Sequence, residues 1–536
     1  MQIKKQLGNK VYYYYFPLFG AYRLPYSRKY ICHFQPECRA IISTHWDQLN
    51  ITLLTPEGVQ GLCVQNLDSY QKYLPIIMIN EIEKSLLLTE GLKWKHQKQM
   101  IRILNFETMK NYTLPIVEKV YNDNFYELSK SLYEDKNQVL QVVKLGRKMQ
   151  SEIAVKQFFC DNIAEKNING KPVAAQLSAF VEDSKRASYI KFLQTKEERE
   201  LYYRGKEIKR ILKQSVLERY NQVINDQNLL NKYNLTDNLI LDYINQQNLP
   251  KQEIKKIPKH KLIDLDEVVD QSMGMYIAAL DNAGVFFGNL MFTIARYKDS
   301  IKIIKQEIDE IFPEFNALQS PQQDFQPQLR VEKLNKLEKT TLFIKESLRL
   351  YNSSPGMFPR IAIKENIIDG IKVPLNGIIQ ISWNSYTMNP NYFQNPHMFD
   401  FSRYKAPSQQ NKYLTPFSLG RRGCIGENMS MFEIKMLFVM YVKYFDIEQN
   451  TDVYPDFQQC GLTINPVEEN LVLIRKKPQY LFKSNFKGIQ IDQSNEKIND
   501  QQKIYNENTI LPESEFLQKP VQTDDDIFDE DENQQD

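Results

Sequence analysis

From Tyr276 to Ala295 the chain is almost free of charge. After a short charged junction it turns into IKIIKQEIDEIF, Ile301 to Phe312, apolar at every third or fourth position. A helix apolar all round must lie inside a protein, and the amphipathic run that follows belongs at the surface of the same core. Helical periodicity returns from Val331 to Tyr351. Between Asp135 and Asn248, stretches rich in Lys, Glu, Leu and Ile predict several amphipathic helices joined by polar loops. Strand-like alternation is confined to short pieces. Ile51 to Leu62, ITLLTPEGVQGL, predicts strand, turn and helix, with Thr55-Pro56-Glu57 as the helix start. Ile367 to Val373 and Gly377 to Trp383 predict small strands punctuated by Pro374, Gly377 and Pro390, and QSPQQDFQPQ from Gln319 reads as a loop. The pattern calls for a mainly α fold with a small β-rich lobe and no internal repeat.

Composition narrows the function classes. The 536 residues are 42% hydrophobic and 25% charged, enough to bury a large core. A formal net charge of +2 is too small for a generally basic surface and argues against nucleic acid as a partner. A small-molecule substrate and a monomer are the expectation. Cysteines at 32, 38, 63, 160, 424 and 460 form no CxxC pair and no zinc spacing, so five are read as buried apolar residues in a reducing compartment. No run of about 18 apolar residues is found, so no transmembrane helix is expected. The aromatic segment Tyr12 to Phe16, within residues 1–28, is either a membrane-surface contact or a packing segment at the start of the fold. Residues 29–482 then form the folded domain. Residues 483–536, rich in Asn, Gln, Asp and Glu and acidic from Asp524 onward, read as a disordered tail.

The remaining cysteine lies in PFSLGRRGCIGENMSMFE, Pro416 to Glu433. A lone cysteine in a Gly-rich loop is usually structural. Here Phe417, Gly420, Arg422, Cys424 and Gly426 fall on the spacing FxxGxRxCxG, and a cysteine presented in a tight loop ahead of a helix, with backbone amides nearby, suits an anionic metal ligand. On these residues the chain resembles the cytochrome P-450 family, over roughly Lys29 to Phe482 and most strongly from Tyr276 onward. The resemblance implies that Cys424 is the axial ligand to haem b (iron protoporphyrin IX), lying between the long central helix and the cysteine loop. It also implies that Phe417 shields the sulfur, Gly420 permits the turn, Arg422 pairs with a haem propionate and Gly426 lets the next helix approach the porphyrin.

Other segments extend the likeness. Glu346 and Arg349 form an ExxR pair one helical turn apart, and Arg403 follows in Phe399 to Tyr404; the resemblance implies a buried structural lock for the cysteine loop. Arg360 falls where the family directs an arginine at a propionate. Trp94 and Lys98 resemble a WxxxR helix with lysine in place of arginine, a weaker grip on a carboxylate because the two-pronged geometry is lost. His96 beside them is best read as a lone surface histidine. On the central helix the best register of the family's acid–threonine pair is Ala278 to Ala283, which makes Asp281 and Asn282 the catalytic candidates, with Asn282 where threonine is expected. An amide hydrogen-bonds oxygen or water but lacks the hydroxyl's proton relay.

The function implied is a monooxygenase inserting one atom of O2 into a lipid-like or aromatic molecule, with electrons from a separate NADPH-cytochrome reductase or a ferredoxin docking near Arg421, Arg422 and Lys435. Relatives lacking the threonine suggest a reductase-independent fatty-acid hydroperoxide isomerase or dehydratase as the alternative, and an inactive haem-binding relative is the third. The expected location is the cytosolic side of the endoplasmic reticulum or the cytoplasm.

Overall fold

The computed structural model describes residues 11–476 apart from 16–35, 46–47, 74–80, 102, 135–137, 185–194, 314–330, 355, 406–407, 450–456, 461–462 and 467–470. The chain divides into Met1–Phe482 and Lys483–Asp536, and every described residue belongs to the first unit. The acidic tail and the Gln319 loop lie outside the described residues, as do most of residues 1–28.

Among the described residues ten helices reach ten residues or more. They are α1 Gly91–Met100, α2 Leu114–Glu134, α3 Val142–Phe158, α4 Val173–Ser184, α5 Lys196–Val223, α6 Leu235–Gln247, α7 Leu265–Arg296, α8 Lys298–Ile311, α9 Glu338–Tyr351 and α10 Glu427–Tyr444. The long apolar helix α7 starts eleven residues before the uncharged run. The Asp264 side chain accepts from the Glu267 amide, and Asp266 and Glu267 place acid at the positive end of the helix. The polar residues of its first turns are buried with partners: Asp270 pairs with Lys209 at 2.8 Å, and Gln271 accepts from the Leu86 amide at 2.9 Å. By length and composition α7 is apolar enough to cross a membrane, which corrects the expectation that no such segment is present. Its apolar window is, however, 78% buried inside the fold, as in a core helix.

Val331 to Tyr351 is two helices rather than one. A turn at Val331–Leu334 is followed by α9, whose first amides, Lys339 and Thr340, donate to the Glu307 carboxylate of α8 at 2.6 and 2.8 Å. A cap supplied from another helix leaves no local signal in the sequence.

The β-rich lobe is a six-stranded sheet. Its strands are β1 Val11–Tyr15, β2 Ala40–His45, β3 Gln48–Leu53, β4 Tyr70–Lys72, β5 Gly356–Ala362 and β6 Ile378–Ser382, in the order β1-β2-β3-β6-β5-β4. Part of the amino-terminal aromatic segment is thus the edge strand β1, paired in parallel with β2. The strand, turn and helix expected at Ile51 to Leu62 are β3 and a short helix Pro56–Gln60, with Thr55 as its cap. Pairing of β4 with β5 sets Lys72 opposite Arg360.

Two apolar clusters meet on α7. One joins it to α2, α8, α9 and α10, the other to α3 through α6. The α3–α7 crossing is so close that a Cβ on Gly146 would lie 2.3 Å from the Gly284 carbonyl oxygen. Only glycine fits there, and the contact brings the next residue, Arg147, against α7.

Candidate functional site

The cysteine loop is closed by its own backbone. The Cys424 amide donates to the Phe417 carbonyl at 2.9 Å and the Gly423 amide to that of Gly420 at 2.9 Å. Gly420 has φ +68°, and a Cβ there would lie 2.7 Å from the Cys63 carbonyl oxygen, so the turn demands glycine. Gly426 caps α10 and differs: a Cβ added to it would meet only the Cys424 sulfur, at 3.9 Å. Cys424 is exposed, whereas Cys38, Cys63 and Cys160 are buried. Burial nevertheless pushes the Cys424 thiol up, the Gly426 amide pulls it down, and Glu427 adds a smaller upward push. Cys424 is thus an exposed residue whose thiol is nonetheless crowded by protein. The nearby amide is a real influence on the sulfur, as the loop sequence led us to expect, but desolvation outweighs it.

One wall of the site is read from α7. Between Glu267 and Ala295 every residue is buried except Ala278, Ala279 and Asn282. These positions fall within about 100° of the helix circumference. Ala279 and Ile425, the neighbour of Cys424, pack against the edge of the same apolar cluster, along with Trp94. Asn282 Nδ2 donates to the Ala278 carbonyl at 3.2 Å, and its Oδ1 is buried with no hydrogen-bond partner. Asp281 does not share this stripe. It is buried beside Arg147, whose Nε lies 3.3 Å from Asp281 Oδ1 in an ion pair without hydrogen-bond alignment, while Nη1 lies 2.9 Å from Glu182.

Cations gather beside the cysteine loop. Arg422 packs its guanidinium 3.7 Å over the Trp94 ring, pairs with Glu90 and donates to the Thr89 carbonyl. Arg360 is buried, and its Nε has no hydrogen-bond partner. Lys72 donates to the Leu86 carbonyl at 2.9 Å. Burial, then Arg422, push its pKa down to about 7, and burial likewise brings Arg422 down to about 10. Glu90 is the one acid acting on all three cations, so cationic groups there outnumber carboxylates. Lys98, expected to grip a carboxylate, instead donates to the Arg421 carbonyl at 3.0 Å and sits 5.5 Å from the Trp94 ring. His96 is half-buried and bonded to the Lys261 backbone rather than free at the surface. Lys72 escapes sequence reading because a three-residue strand carries no period, and its importance comes from the pairing of β4 with β5.

Of the basic face expected at Arg421, Arg422 and Lys435, little remains. Lys435 is buried, Arg422 is engaged with Trp94 and Glu90, and Arg421 is exposed but paired with Asp68. Residues near a loop in sequence need not share its surface, since α10 is buried from Glu433 to Lys443.

Glu346, Arg349 and Arg403 come together. Arg349 Nε and Nη2 reach the two oxygens of Glu346 at 2.9 and 2.7 Å, and Arg403 Nε reaches Oε1 at 3.1 Å. The Tyr404 hydroxyl and the Asp400 amide complete the carboxylate's partners at 2.8 and 3.0 Å. The remaining arginine N–H groups donate to the carbonyls of Thr387, Pro396, Met398 and Gln394. Gln410 accepts from Arg403 at 3.0 Å, and Asn411 donates to the Tyr404 carbonyl at 3.0 Å, which ties the network to the chain entering the cysteine loop.

The helix leaving the loop is anchored by an acid. Glu433 on α10 is buried and accepts from Gln157 at 2.7 Å and Gln150 at 3.2 Å, both on α3. Burial raises its pKa, and the two amides only partly offset this. A carboxyl whose folded pKa exceeds the unfolded value of about 4.3 favours folding fully below that pH, and the advantage is lost as pH rises toward the folded value. Over that window Glu433→Gln should gain on wild type by about 1.4 kcal/mol per pH unit. Urea unfolding at pH 5, 7 and 8 measures it. A difference constant across the three would mean that Glu433 is not held neutral.

A family model described as Cytochrome P450 matches residues 33–473, and the chain belongs to that family. It is 32% identical over 153 residues to "Probable cytochrome P450 4p3" of Drosophila melanogaster, covering 28% of this chain and 30% of that protein. "Cytochrome P450 monooxygenase penB" of Penicillium thymicola is 26% identical over 204 residues, 38% of this chain and 42% of its own. "Cytochrome P450 4A7" of Oryctolagus cuniculus is 35% identical over 117 residues, 22% of this chain and 23% of its own. The chain thus aligns with less than half the length of each of these relatives. The solved structure "Retinoic acid bound cyanobacterial CYP120A1" superposes with TM-score 0.65 at 13% identity, covering 82% of this chain and 92% of that one, a likeness of fold. The family implies haem, and the residues fit it. Cys424 is an exposed sulfur-bearing residue, no cluster of three His, Cys, Asp or Glu able to hold a bare metal ion is found among the described residues, and the cations Arg360, Arg422 and Lys72, with one acid among them, suit an anionic group.

Proposed function

We propose that the protein is a haem-thiolate monooxygenase that inserts one oxygen atom from O2 into an apolar, lipid-like or aromatic molecule, using electrons from a separate reductase. The observation that carries this reading is the exposed Cys424 beside the cations Arg422, Arg360 and Lys72, which share a single acid, the donor set an iron protoporphyrin with two propionates requires. When bound, the haem supplies the activation of dioxygen. Cys424 holds it through sulfur, and the Gly426 amide tempers the sulfur's charge by donating to it. Arg360, whose Nε lacks a partner, Arg422 and Lys72 receive the propionates, with Trp94 and Lys98 as the flanking wall. Phe417 packs against the core and covers the loop. Glu346, Arg349 and Arg403 act by holding the loop, not by touching substrate.

Ala278 and Ala279 leave room on the cleft wall, and the apolar cluster at its edge favours an apolar substrate. Asn282 is the polar group on that wall. The Ala278 carbonyl can only accept, so the amide must turn its NH2 toward it, and Oδ1 is left as an acceptor that holds a water without relaying a proton. Asp281 stands behind the stripe, paired with Arg147, as the carboxylate that orders water for proton delivery. The same amide favours a second reading, in which Asn282 holds a hydroperoxide oxygen and a fatty-acid hydroperoxide is rearranged without a reductase.

Product formation from NADPH with reductase, and separately from a fatty-acid hydroperoxide alone, discriminates between the two. For the monooxygenase, Asn282→Thr lowers the fraction of NADPH lost as peroxide, and Asp281→Ala slows turnover by on the order of 10²-fold. Asp281→Asn, which keeps the shape beside Arg147, should slow it similarly. If wild type turns over hydroperoxide with no reductase, and Asn282→Thr impairs that reaction, the isomerase is the function.

A further inference from the structure

A cavity of about 510 Å³ opens between one face of α5, the first turn of α7 and Glu81. On α5 it is lined by Tyr202, Lys206, Lys209, Arg210 and Lys213, whose spacing of three or four residues sets them along one side of the helix. Asp266 of α7 and Glu81 complete the lining, and none of these residues belongs to the haem site. Most of the charges are already matched. Lys209 reaches Asp270 at 2.8 Å, Lys213 reaches Asp266 at 2.6 Å and Arg210 reaches Glu207 at 2.7 Å. Two are not. Lys206 is exposed and makes no ion pair among the described residues, its ammonium lying 4.4 Å from the centre of the Tyr202 ring. Glu81 is only 4% exposed, and its carboxylate has neither a hydrogen bond nor an ion pair among the described residues.

A charged helix face is usually just solvated, and alone it points to no ligand. The carboxylate is what changes the reading, because burying an acid without a partner is costly and the fold avoids it elsewhere. Glu346, Glu433 and Asp270 are all buried, and each accepts hydrogen bonds. Glu81 is held in place by packing instead: a Cβ on Gly205 would lie 3.4 Å from its Cγ, so the glycine lets it tuck against α5. Burial pushes its pKa up, while Lys209 and Lys206 pull it down from a distance. A water in the cavity can donate to Glu81 but leaves Lys206 unmatched. One ligand satisfies both groups if it carries a cation at one end and an anion at the other.

We propose that this cavity binds a zwitterion of the phosphoethanolamine type, its ammonium donating to Glu81 and its phosphate received by Lys206 with Arg210 and Lys213. Phosphate suits this wall because its terminal oxygens accept from several cations at once. Lys206 to Lys213 spans about 10.5 Å of helix axis, with Arg210 between them, so long flexible side chains from all three converge on one anion. The ammonium end is specified by Glu81, which is too buried to serve a bulky cation and needs N–H donors. The same group is offered by a free phosphoethanolamine ester and by the headgroup of a phosphatidylethanolamine. The proposal stands apart from the monooxygenase reading, since it uses no residue of that site.

The test is calorimetric titration of the haem-loaded, full-length protein with O-phosphoethanolamine. Inorganic phosphate, ethanolamine and phosphocholine, whose methylated nitrogen has no N–H to donate, should each bind about tenfold more weakly or worse. Glu81→Gln and Lys206→Gln should each weaken O-phosphoethanolamine binding by about tenfold. The carbon monoxide spectrum of both variants should match wild type, and the thermal midpoint of Glu81→Gln should not fall, because the carboxylate it replaces supports no contact in the fold. Lys206 is exposed, so its variant decides the matter even if Glu81→Gln folds poorly. Flotation with phosphatidylethanolamine and phosphatidylcholine vesicles then identifies the source. A preference for the former that both variants lose supports the site with a lipid headgroup as its ligand, and titration heat without such a preference supports it with a free small molecule. The proposal is overturned if neither the titration nor the vesicles show binding, if inorganic phosphate binds as tightly as O-phosphoethanolamine, or if binding survives both substitutions.

Discussion

Cys424→His is expected to abolish the thiolate Soret band of the reduced carbon monoxide complex while the loop keeps its shape. The bonds closing the loop, from the Cys424 amide to Phe417 and from Gly423 to Gly420, are made by backbone and survive the change. What changes is the donor, from an anionic sulfur to a neutral imidazole nitrogen, and the spectrum reads that donor directly. Cys424→Ser serves as the companion variant, smaller than histidine and less able to ligate. Haem content should drop in both, and the wild-type band should appear in neither. An unchanged band in Cys424→His would mean that the iron is held elsewhere and would sink the site assignment.

Glu346→Ala should cost about 3–5 kcal/mol and prevent haem incorporation, because it strips two buried guanidinium groups of their carboxylate. Both side chains of the Glu346–Arg349 pair are 0% exposed, so solvent cannot stand in. The carboxylate accepts five bonds, from Arg349 twice, Asp400, Arg403 and Tyr404, and all five donors would be left wanting. Arg349→Ala should be comparably severe, since it also frees the carbonyls of Thr387, Pro396 and Met398. Arg349→Lys should rescue little, because a single ammonium cannot span the carboxylate and three carbonyls together. The damage should reach the cysteine loop through Gln410 and Asn411, so haem content and thermal midpoint should fall together. Normal values of both in either alanine variant would show the pair to be an ordinary bridge of little consequence.

The site was partly legible in residue order and partly not. ExxR alone is weak, and its weight came from lying upstream of Arg403 and the cysteine loop, where the three side chains do converge. Asp281 and Asn282 are neighbours in sequence, yet 100° of helix rotation turns one toward Arg147 and leaves the other on the cleft wall. Lys435 looked like surface because it is charged; burial of α10 against the core overrode that inference.

By itself the sequence determined what depends on near neighbours: the uncharged helix, its amphipathic successor, the Thr55 cap, and a glycine turn that presents one cysteine. Such features are set by periods of 3.6 or 2 and by backbone conformations that few residues adopt, and these act over a handful of positions. The tertiary structure alone decided which charges share a space. Lys72 meets Arg360 through strands 288 residues apart, and Glu307 caps a helix it does not belong to. Electrostatic and hydrogen-bond energies depend on distance through space and on burial, and neither is a function of spacing along the chain.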